Sequence, residues 1–238
     1  MAQQPASSSR SASTSGSASS TGDTGPQRPN IVFIMSDDHA AHAISAYGSR
    51  VNHTPNIDRI AAAGMRLDTC LCTNSICTPS RASILTGTYS HVNGALTLNE
   101  TLDSVAQPTF APLLQEAGYQ TAVYGKWHLG HGGPHDPVGF DHWAVVPGQG
   151  LYHNPKFWVK GKSEQQTVTG YVTDIITDMS LDWLRARDKD RPFCLLVHHK
   201  APHRPWEPDA KHATLYDDID IPEPPTFDDH YSNRARAA

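Results

Sequence analysis

The sequence has few cysteines, and their number and spacing limit what the thiols can do. The chain has 238 residues and four cysteines, with no Cys-x-x-Cys pair among them. Such a set does not make a disulfide-rich scaffold. A zinc site built from Cys70, Cys72, Cys77 and Cys194 is an alternative, but the spacing is not typical of one. We expect Cys70, Cys72 and Cys194 to be buried thiols.

The sequence also lacks a strong net charge and a long apolar run. Its 24 acidic and 19 basic side chains give a net charge of −5, which offers no reason to propose nucleic acid or an anionic membrane as a partner. No apolar run approaches the roughly 20 residues that cross a bilayer. We predict no nucleic-acid partner, no membrane partner and no transmembrane segment.

Large apolar side chains are almost absent from residues 1–28. This Ser- and Ala-rich stretch buries too little surface to offset the entropy of ordering it. We predict a disordered tail at 1–28 and a folded part at 29–238. The tail has no apolar core of a signal peptide. An organellar transit peptide is an alternative, and the compartment stays unassigned.

The folded part alternates between short apolar runs and segments with helical spacing. The apolar runs predict strands at 30–35, 65–72, 120–124 and 193–197. Capping residues and periodicity predict helices at 55–64, 77–87, 109–118 and 171–187. This alternation is typical of an α/β protein with a doubly wound, mostly parallel sheet flanked by helices. Ligands of such sheets bind beyond the carboxyl ends of the strands.

A cysteine stands at the start of one predicted helix. The segment from Cys77 to Gly87 reads Cys-Thr-Pro-Ser-Arg-Ala-Ser-Ile-Leu-Thr-Gly, with proline in the first turn and glycine at the end. Cys77 would lie beside unpaired backbone amides at the positive end of the helix dipole. Arg81 follows one turn later. Together they predict an electropositive pocket for an anionic substrate, with a buried structural thiol as the alternative.

This pattern, Cys-x-Pro-Ser-Arg followed by Leu-Thr-Gly, resembles the signature of the type I sulfatases of the alkaline-phosphatase-like superfamily. The resemblance implies that a formylglycine-generating enzyme, as maturation partner, oxidises Cys77 to Cα-formylglycine. It implies that one hydroxyl of the hydrated aldehyde attacks a sulfate monoester and that the second hydroxyl later allows sulfate to leave. Arg81 would supply positive charge to the reacting sulfate.

An acidic pair follows the first predicted strand. Adjacent carboxylates repel each other, so Asp37 and Asp38 are best explained by a hard cation between them. The alternative is a solvated turn in which Asp38 caps a helix. In the sulfatases that this chain resembles, the matching pair binds Ca²⁺, which also contacts the formylglycine. The resemblance therefore implies a calcium site at Asp37, Asp38 and Cys77.

Two further segments carry the resemblance. Gly-Lys-Trp-His-Leu-Gly at 125–130 and Ala-Pro-His-Arg-Pro at 201–205 are similar to sulfatase segments that follow strands. Lys126 would contact the sulfate or the formylglycine hydrate, and His128 would lie on the same side of an extended segment and act as base. His203 would protonate the leaving oxygen. Taken alone, Lys126 and His128 also fit a strand end exposed at the surface.

Other histidines and one lysine remain as weaker candidates. The alternatives to His203 are His198, His199 and Lys200. Four more histidines lie in a Gly/Pro-rich region that we predict to be loop, with the lining of a substrate cleft as the alternative role, namely His131, His135, His142 and His153.

The resemblance implies a sulfuric ester hydrolase acting on a sulfated small molecule or glycan, with a carbohydrate favoured. A phosphodiesterase or phosphonate hydrolase of the same superfamily, and a non-catalytic truncated homologue, remain alternatives. Sulfatases are usually longer, and their later segments supply further calcium ligands that have no counterpart after Trp206. We expect residues 29–238 to be the N-terminal portion of a sulfatase catalytic domain, incomplete at its C-terminus, with little or no activity alone.

Overall fold

The computed structural model describes residues 28–232, 234 and 235, so the tail predicted at 1–28 lies, except for Arg28, outside the described residues. Six strands form one sheet: β1 Ile31–Met35, β2 Gln120–Lys126, β3 His142–Val146, β4 Lys156–Val159, β5 Gln166–Thr167 and β6 Phe193–His198. Their order is β1-β6-β2-β3-β4-β5. The first four in this order pair in parallel, and β4 and β5 add on antiparallel. The mostly parallel sheet is confirmed.

Helices cover both faces of this sheet. They are α1 Pro55–Ala63, α2 Cys77–Thr86, α3 Ser90–Asn93, α4 Phe110–Glu116 and α5 Val172–Ala186. Successive strand residues point to opposite faces, so Val123 of β2 packs with α2 and α4 while its neighbours Ala122 and Tyr124 pack with α5. The two resulting cores make the sheet doubly wound. In the part of the chain that is described, no helix has the length and apolar character required to cross a membrane.

The prediction of a strand at 65–72 was wrong. This segment is irregular, and Met65 and Leu71 are exposed. Strand propensity takes effect through packing against neighbouring strands, and no described strand pairs with this segment. The prediction of buried thiols also fails there, because Cys70 and Cys72 are exposed; Cys194, in β6, is buried.

The different surroundings of the thiols predict different reactivity. Burial raises the pKa of the Cys194 thiol from 9.0 to about 11, and only the thiolate reacts with alkylating reagents. At pH 8 Cys194 therefore holds a thiolate fraction about 100-fold smaller than an ordinary cysteine. We expect iodoacetamide to label Cys70 and Cys72 of the folded chain at least about 100-fold faster than Cys194, as followed by peptide mass spectrometry. Equal rates in urea are the control, and equal rates in the folded chain would contradict the structure.

Candidate active site

The carboxyl ends of three neighbouring strands bring the predicted site residues together. Asp37 lies two residues after β1, Lys126 ends β2, and His203 lies five residues after β6. Because β6 lies between β1 and β2, these residues meet at one edge. Ligand atoms of Asp37, Cys77 and His203 lie within 4.8 Å of one another. These site residues therefore lie at the carboxyl edge of the sheet, where ligands of such sheets bind.

Asp37 lies between two buried cations. Its Oδ2 is 3.0 Å from Arg81 Nη2 and 2.5 Å from Lys126 Nζ, and the three side chains are only 7%, 4% and 0% exposed. Burial by itself raises the pKa of Asp37, but the hydrogen bond from Lys126 and the positive charges of Arg81 and Lys126 outweigh it and hold the pKa below 3.8. These three buried groups carry one negative and two positive charges, and the half-exposed carboxylate of Asp38 lines the same cavity as Asp37 and Arg81.

Cys77 is the first residue of α2 and its side chain faces this cluster. Lys126 Nζ donates to its Sγ at 3.5 Å, and Sγ lies 3.7 Å from Asp37 Oδ1. The preceding residue, Ile76, provides no side-chain cap, so the first amides of the helix remain available to an anion. The thiol lines a cavity of about 410 Å³ together with Asp37 and Arg81. A buried structural role for Cys77 is thus contradicted.

Close backbone packing holds the end of β2 in place. Arg81 Nη1 donates to the carbonyl oxygen of Lys126 at 2.5 Å. Gly125, with φ of +108°, lies so close to β6 that a Cβ would come within 1.9 Å of the His198 carbonyl oxygen. Any larger residue at 125 would push the two strands apart and displace Lys126.

His128 lies at the edge of the charged cluster in an unexpected backbone conformation. Its φ is +58°, so the segment is not extended as predicted. The Thr78 hydroxyl donates to its carbonyl oxygen at 2.9 Å and ties it to the first turn of α2. Burial, followed by the positive charges of Lys126 and Arg81, lowers the pKa of His128 to about 4. Its ring is neutral at pH 7, and its buried Nδ1 has no partner among the described residues.

Asp38 is less firmly held than Asp37. It is half exposed, with φ of +58°, and the Nε2 of His203 lies 3.7 Å from its Oδ2. It does not cap the following 3₁₀ helix, whose N-cap is Ala40. The cluster of potential metal ligands contains His203 in place of the predicted Asp38.

The sequence missed two residues that hold this site, Gln149 and Tyr152, and named a third, Lys200, only as an alternative to His203. The side-chain oxygen of Gln149 accepts a hydrogen bond from Lys126 Nζ. The hydroxyl of Tyr152 donates to the carbonyl oxygen of His203. Lys200 Nζ lies 4.6 Å from the centre of the Tyr152 ring. It also donates to the Arg204 carbonyl oxygen at 3.3 Å. Gln149 follows β3, so recognising that strand would have pointed to it.

The structure also places the remaining histidine candidates, each with its own surroundings. His198 is fully buried in β6, where burial lowers its pKa to about 3, and its Nδ1 lies 3.3 Å from the Lys126 carbonyl oxygen. His142 starts β3, contrary to the predicted loop. His131 stacks on Trp158 with 3.7 Å between ring centres. The others lie as follows: His135 Nδ1 is 3.0 Å from the Leu102 carbonyl oxygen, His153 forms an isolated bridge with Tyr171, and His199 is half buried.

Fold and site together define an α/β protein with a thiol and two buried cations at the carboxyl edge of its sheet. The sequence profile of the Sulfatase family matches residues 29–236. The chain belongs to the sulfatase family. This confirms the resemblance drawn from its motifs.

Individual relatives are similar over most of this chain. An N-acetylglucosamine-6-O-sulfatase of Bacteroides thetaiotaomicron is 48% identical over 215 residues, covering 89% of this chain and 37% of the relative. Human N-acetylglucosamine-6-sulfatase is 28% identical over 228 residues, covering 88% and 41%. The solved structure of BT4656 in complex with its substrate D-glucosamine-2-N,6-O-disulfate has a TM-score of 0.83 at 47% identity, covering 89% and 42%. The chain thus spans about 40% of the length of these relatives.

Proposed function

We propose that residues 29–238 are the N-terminal portion of a sulfatase catalytic domain that hydrolyses sulfate monoesters of a carbohydrate. One observation carries the proposal: Cys77 opens α2 within 3.5 Å of Lys126 Nζ, beside the Arg81–Asp37 pair. A sulfate monoester repels nucleophiles, so its attacker needs both activation and positive charge. The relatives named for N-acetylglucosamine sulfates support a sugar substrate.

The reacting residue is Cα-formylglycine, formed from Cys77 by a formylglycine-generating enzyme. When present, this group supplies a geminal diol as the nucleophile. Lys126 and Arg81 hold the sulfate oxygens. His128, whose neutral imidazole has an unpartnered nitrogen, accepts a proton from the nucleophile. His203 donates a proton to the departing sugar oxygen, and its loop is held by the bond from Tyr152.

The donor set decides whether calcium fits this site. Calcium takes six to eight oxygen ligands. Asp37 and Asp38 supply carboxylate oxygens, whereas the thiol of Cys77 and the imidazole of His203 suit softer metals. Conversion of Cys77 replaces sulfur with oxygen, so the matured site fits part of a calcium shell. Asp37, Asp38 and the matured residue 77 would hold the ion, which when bound supplies positive charge beside the sulfate.

Maturation of Cys77 is the direct test. We expect co-expression with a formylglycine-generating enzyme to convert residue 77, because the motif from Cys77 to Arg81 is intact. Mass spectrometry of the peptide that contains residue 77 measures the conversion as a loss of mass. Exposed Cys72, five residues earlier, is the internal control and should stay unmodified. A Cys77 peptide of unchanged mass under conditions that mature a known sulfatase would overturn the proposed mechanism.

A further inference from the structure

Three potential metal ligands of different chemistry face one another at the carboxyl edge of the sheet while Cys77 is still a thiol. Ligand atoms of Asp37, Cys77 and His203 lie within 4.8 Å of one another, and Cys77 Sγ is 3.7 Å from Asp37 Oδ1. Two ligands of a tetrahedral zinc ion lie about 3.3–3.6 Å apart, given bonds of about 2.0–2.3 Å. Small movements of the three side chains therefore bring them to one zinc ion.

One ring nitrogen of His203 is fixed as a hydrogen donor, which leaves the other for a metal. Nδ1 lies 2.7 Å from the backbone carbonyl oxygen of Arg204, and a carbonyl oxygen only accepts. The hydrogen of the neutral ring is therefore on Nδ1, and Nε2 carries the lone pair. Histidines that bind metals are held in this way, by a bond from the second nitrogen to a carbonyl or carboxylate oxygen.

The buried cations leave one oxygen of Asp37 available. Oδ2 accepts from Arg81 and Lys126, whereas Oδ1 faces the sulfur of Cys77. A metal ion bound through Oδ1 therefore leaves both ion pairs intact. Once the thiol is deprotonated, it and the carboxylates of Asp37 and Asp38 carry three negative charges against two positive ones. The remaining negative charge favours a divalent cation.

The donor atoms decide which divalent cation fits. Thiolate sulfur and imidazole nitrogen suit zinc, whereas calcium takes six to eight oxygen ligands. The unconverted thiol therefore gives this edge a different metal selectivity from that of the matured residue. Asp38 is half exposed and does not belong to the 4.8 Å group. The fourth position of the ion thus stays open to water, as in zinc sites with three protein ligands.

We propose that the chain with unconverted Cys77 binds a zinc ion through Cys77 Sγ, Asp37 Oδ1 and His203 Nε2. A Zn–S bond forms as the S–H bond breaks, and the thiol proton is released to solvent. Conversion of Cys77 to formylglycine removes the sulfur ligand, so a matured chain no longer has this zinc site. The inference goes beyond the proposed function and does not depend on it, because it concerns the chain before maturation.

Titration with cobalt(II), zinc and calcium tests the site in the 238-residue chain expressed without a formylglycine-generating enzyme. Cobalt occupies zinc sites, and its bond to a thiolate gives a charge-transfer band in the near ultraviolet. We expect Co²⁺ to produce this band, Zn²⁺ to remove it and Ca²⁺ to leave it unchanged. In calorimetry, Zn²⁺ should bind at least about 100-fold more tightly than Ca²⁺, with a heat that depends on the buffer because a proton is released.

Variants identify the ligands. Cys77→Ser should abolish the cobalt band and weaken zinc binding at least about 100-fold, since losing even the hydrogen-bond partner of a ligand costs about 10- to 100-fold. Cys72→Ser is the matched control, because Cys72 is exposed and lines the same cavity, and it should change zinc affinity by no more than about 2-fold. His203→Ala should weaken zinc binding at least about 10-fold. His39→Ala is its control, from the same cavity wall.

Alkylation tests the site without any variant. Zinc should slow the labelling of Cys77 by iodoacetamide at least about 10-fold and leave Cys72 unchanged, as measured by peptide mass spectrometry. A cobalt band that survives Cys77→Ser, calcium binding as tight as zinc binding, or equal protection of both thiols would each overturn the site. Zinc binding that requires Cys77, in a chain that a formylglycine-generating enzyme fails to convert, would support the site and refute the proposed mechanism.

Discussion

Replacing Asp37 by alanine is expected to lower the free energy of unfolding by about 3–5 kcal/mol. Removing one partner of a buried ion pair leaves an uncompensated buried charge, which costs about that much. Asp37→Ala leaves two such charges, since Arg81 and Lys126 are 4% and 0% exposed and both bond the same carboxylate oxygen. The two cations then also repel each other.

Urea unfolding followed by tryptophan fluorescence measures this loss. Asp38→Ala is the matched control, because Asp38 is adjacent, has the same side chain and is half exposed, with only the His203 ring 3.7 Å from its carboxylate. We expect it to change stability by no more than about 0.5 kcal/mol. Asp37→Asn keeps the shape and an acceptor and should fall between the two.

A double-mutant cycle separates repulsion from lost packing. Lys126→Met removes one of the two cations, so Asp37→Ala should cost less in that background by about 1–3 kcal/mol. Additive losses, or an Asp37→Ala variant as stable as Asp38→Ala, would show that the buried charges do not depend on Asp37.

The matured 238-residue chain by itself is expected to hydrolyse N-acetylglucosamine 6-sulfate at least about 10²- to 10³-fold more slowly than the Bacteroides thetaiotaomicron relative. Loss of a single group that stabilises charge in a transition state costs about that factor. Asp37 and Asp38 supply only part of a calcium shell, and the chain covers 37% of that relative.

The sheet edge gives a second reason for low activity. β1 pairs with one described strand only, β6, and Val32 and Ile34 are 50% and 59% exposed. Beside it, Phe33 and Leu113 line an apolar groove of about 500 Å³. An open, apolar edge of this kind attracts other chains. Asp37 lies two residues after β1, so association of another chain with this strand would displace a site residue.

Mass spectrometry must first show that residue 77 and its counterpart in the relative are converted to the same extent. The turnover rates of the two matured proteins are then compared with and without calcium. The variant Cys77→Ala sets the background. Addition of the part of the relative that this chain does not match should raise the activity. Robust calcium-dependent turnover by the isolated chain, with 4-nitrophenyl sulfate or the sugar sulfate, would refute the prediction.

The sequence by itself determined the local elements and most of the site residues. Thr54-Pro55 and Gly64 predicted α1, which runs Pro55–Ala63. The apolar spacing at 171–187 predicted α5, which runs Val172–Ala186. These signals are local, because a cap or a helical period is complete within one segment. The segments that resemble sulfatase motifs selected Asp37, Lys126 and His203, and their position after strands agreed with that choice.

Only the tertiary structure decided which partners these residues meet. The ion pair between Asp37 and Arg81 spans 44 positions, and the bond from Lys126 to Gln149 spans 23. Residues 65–72 have a strand-like sequence pattern but form no strand. Trp158 of β4 lines the same cavity as the loop 98–101, about 60 residues earlier in the chain. Contacts between distant segments depend on how whole helices and strands pack against each other, and a local sequence pattern does not specify that packing.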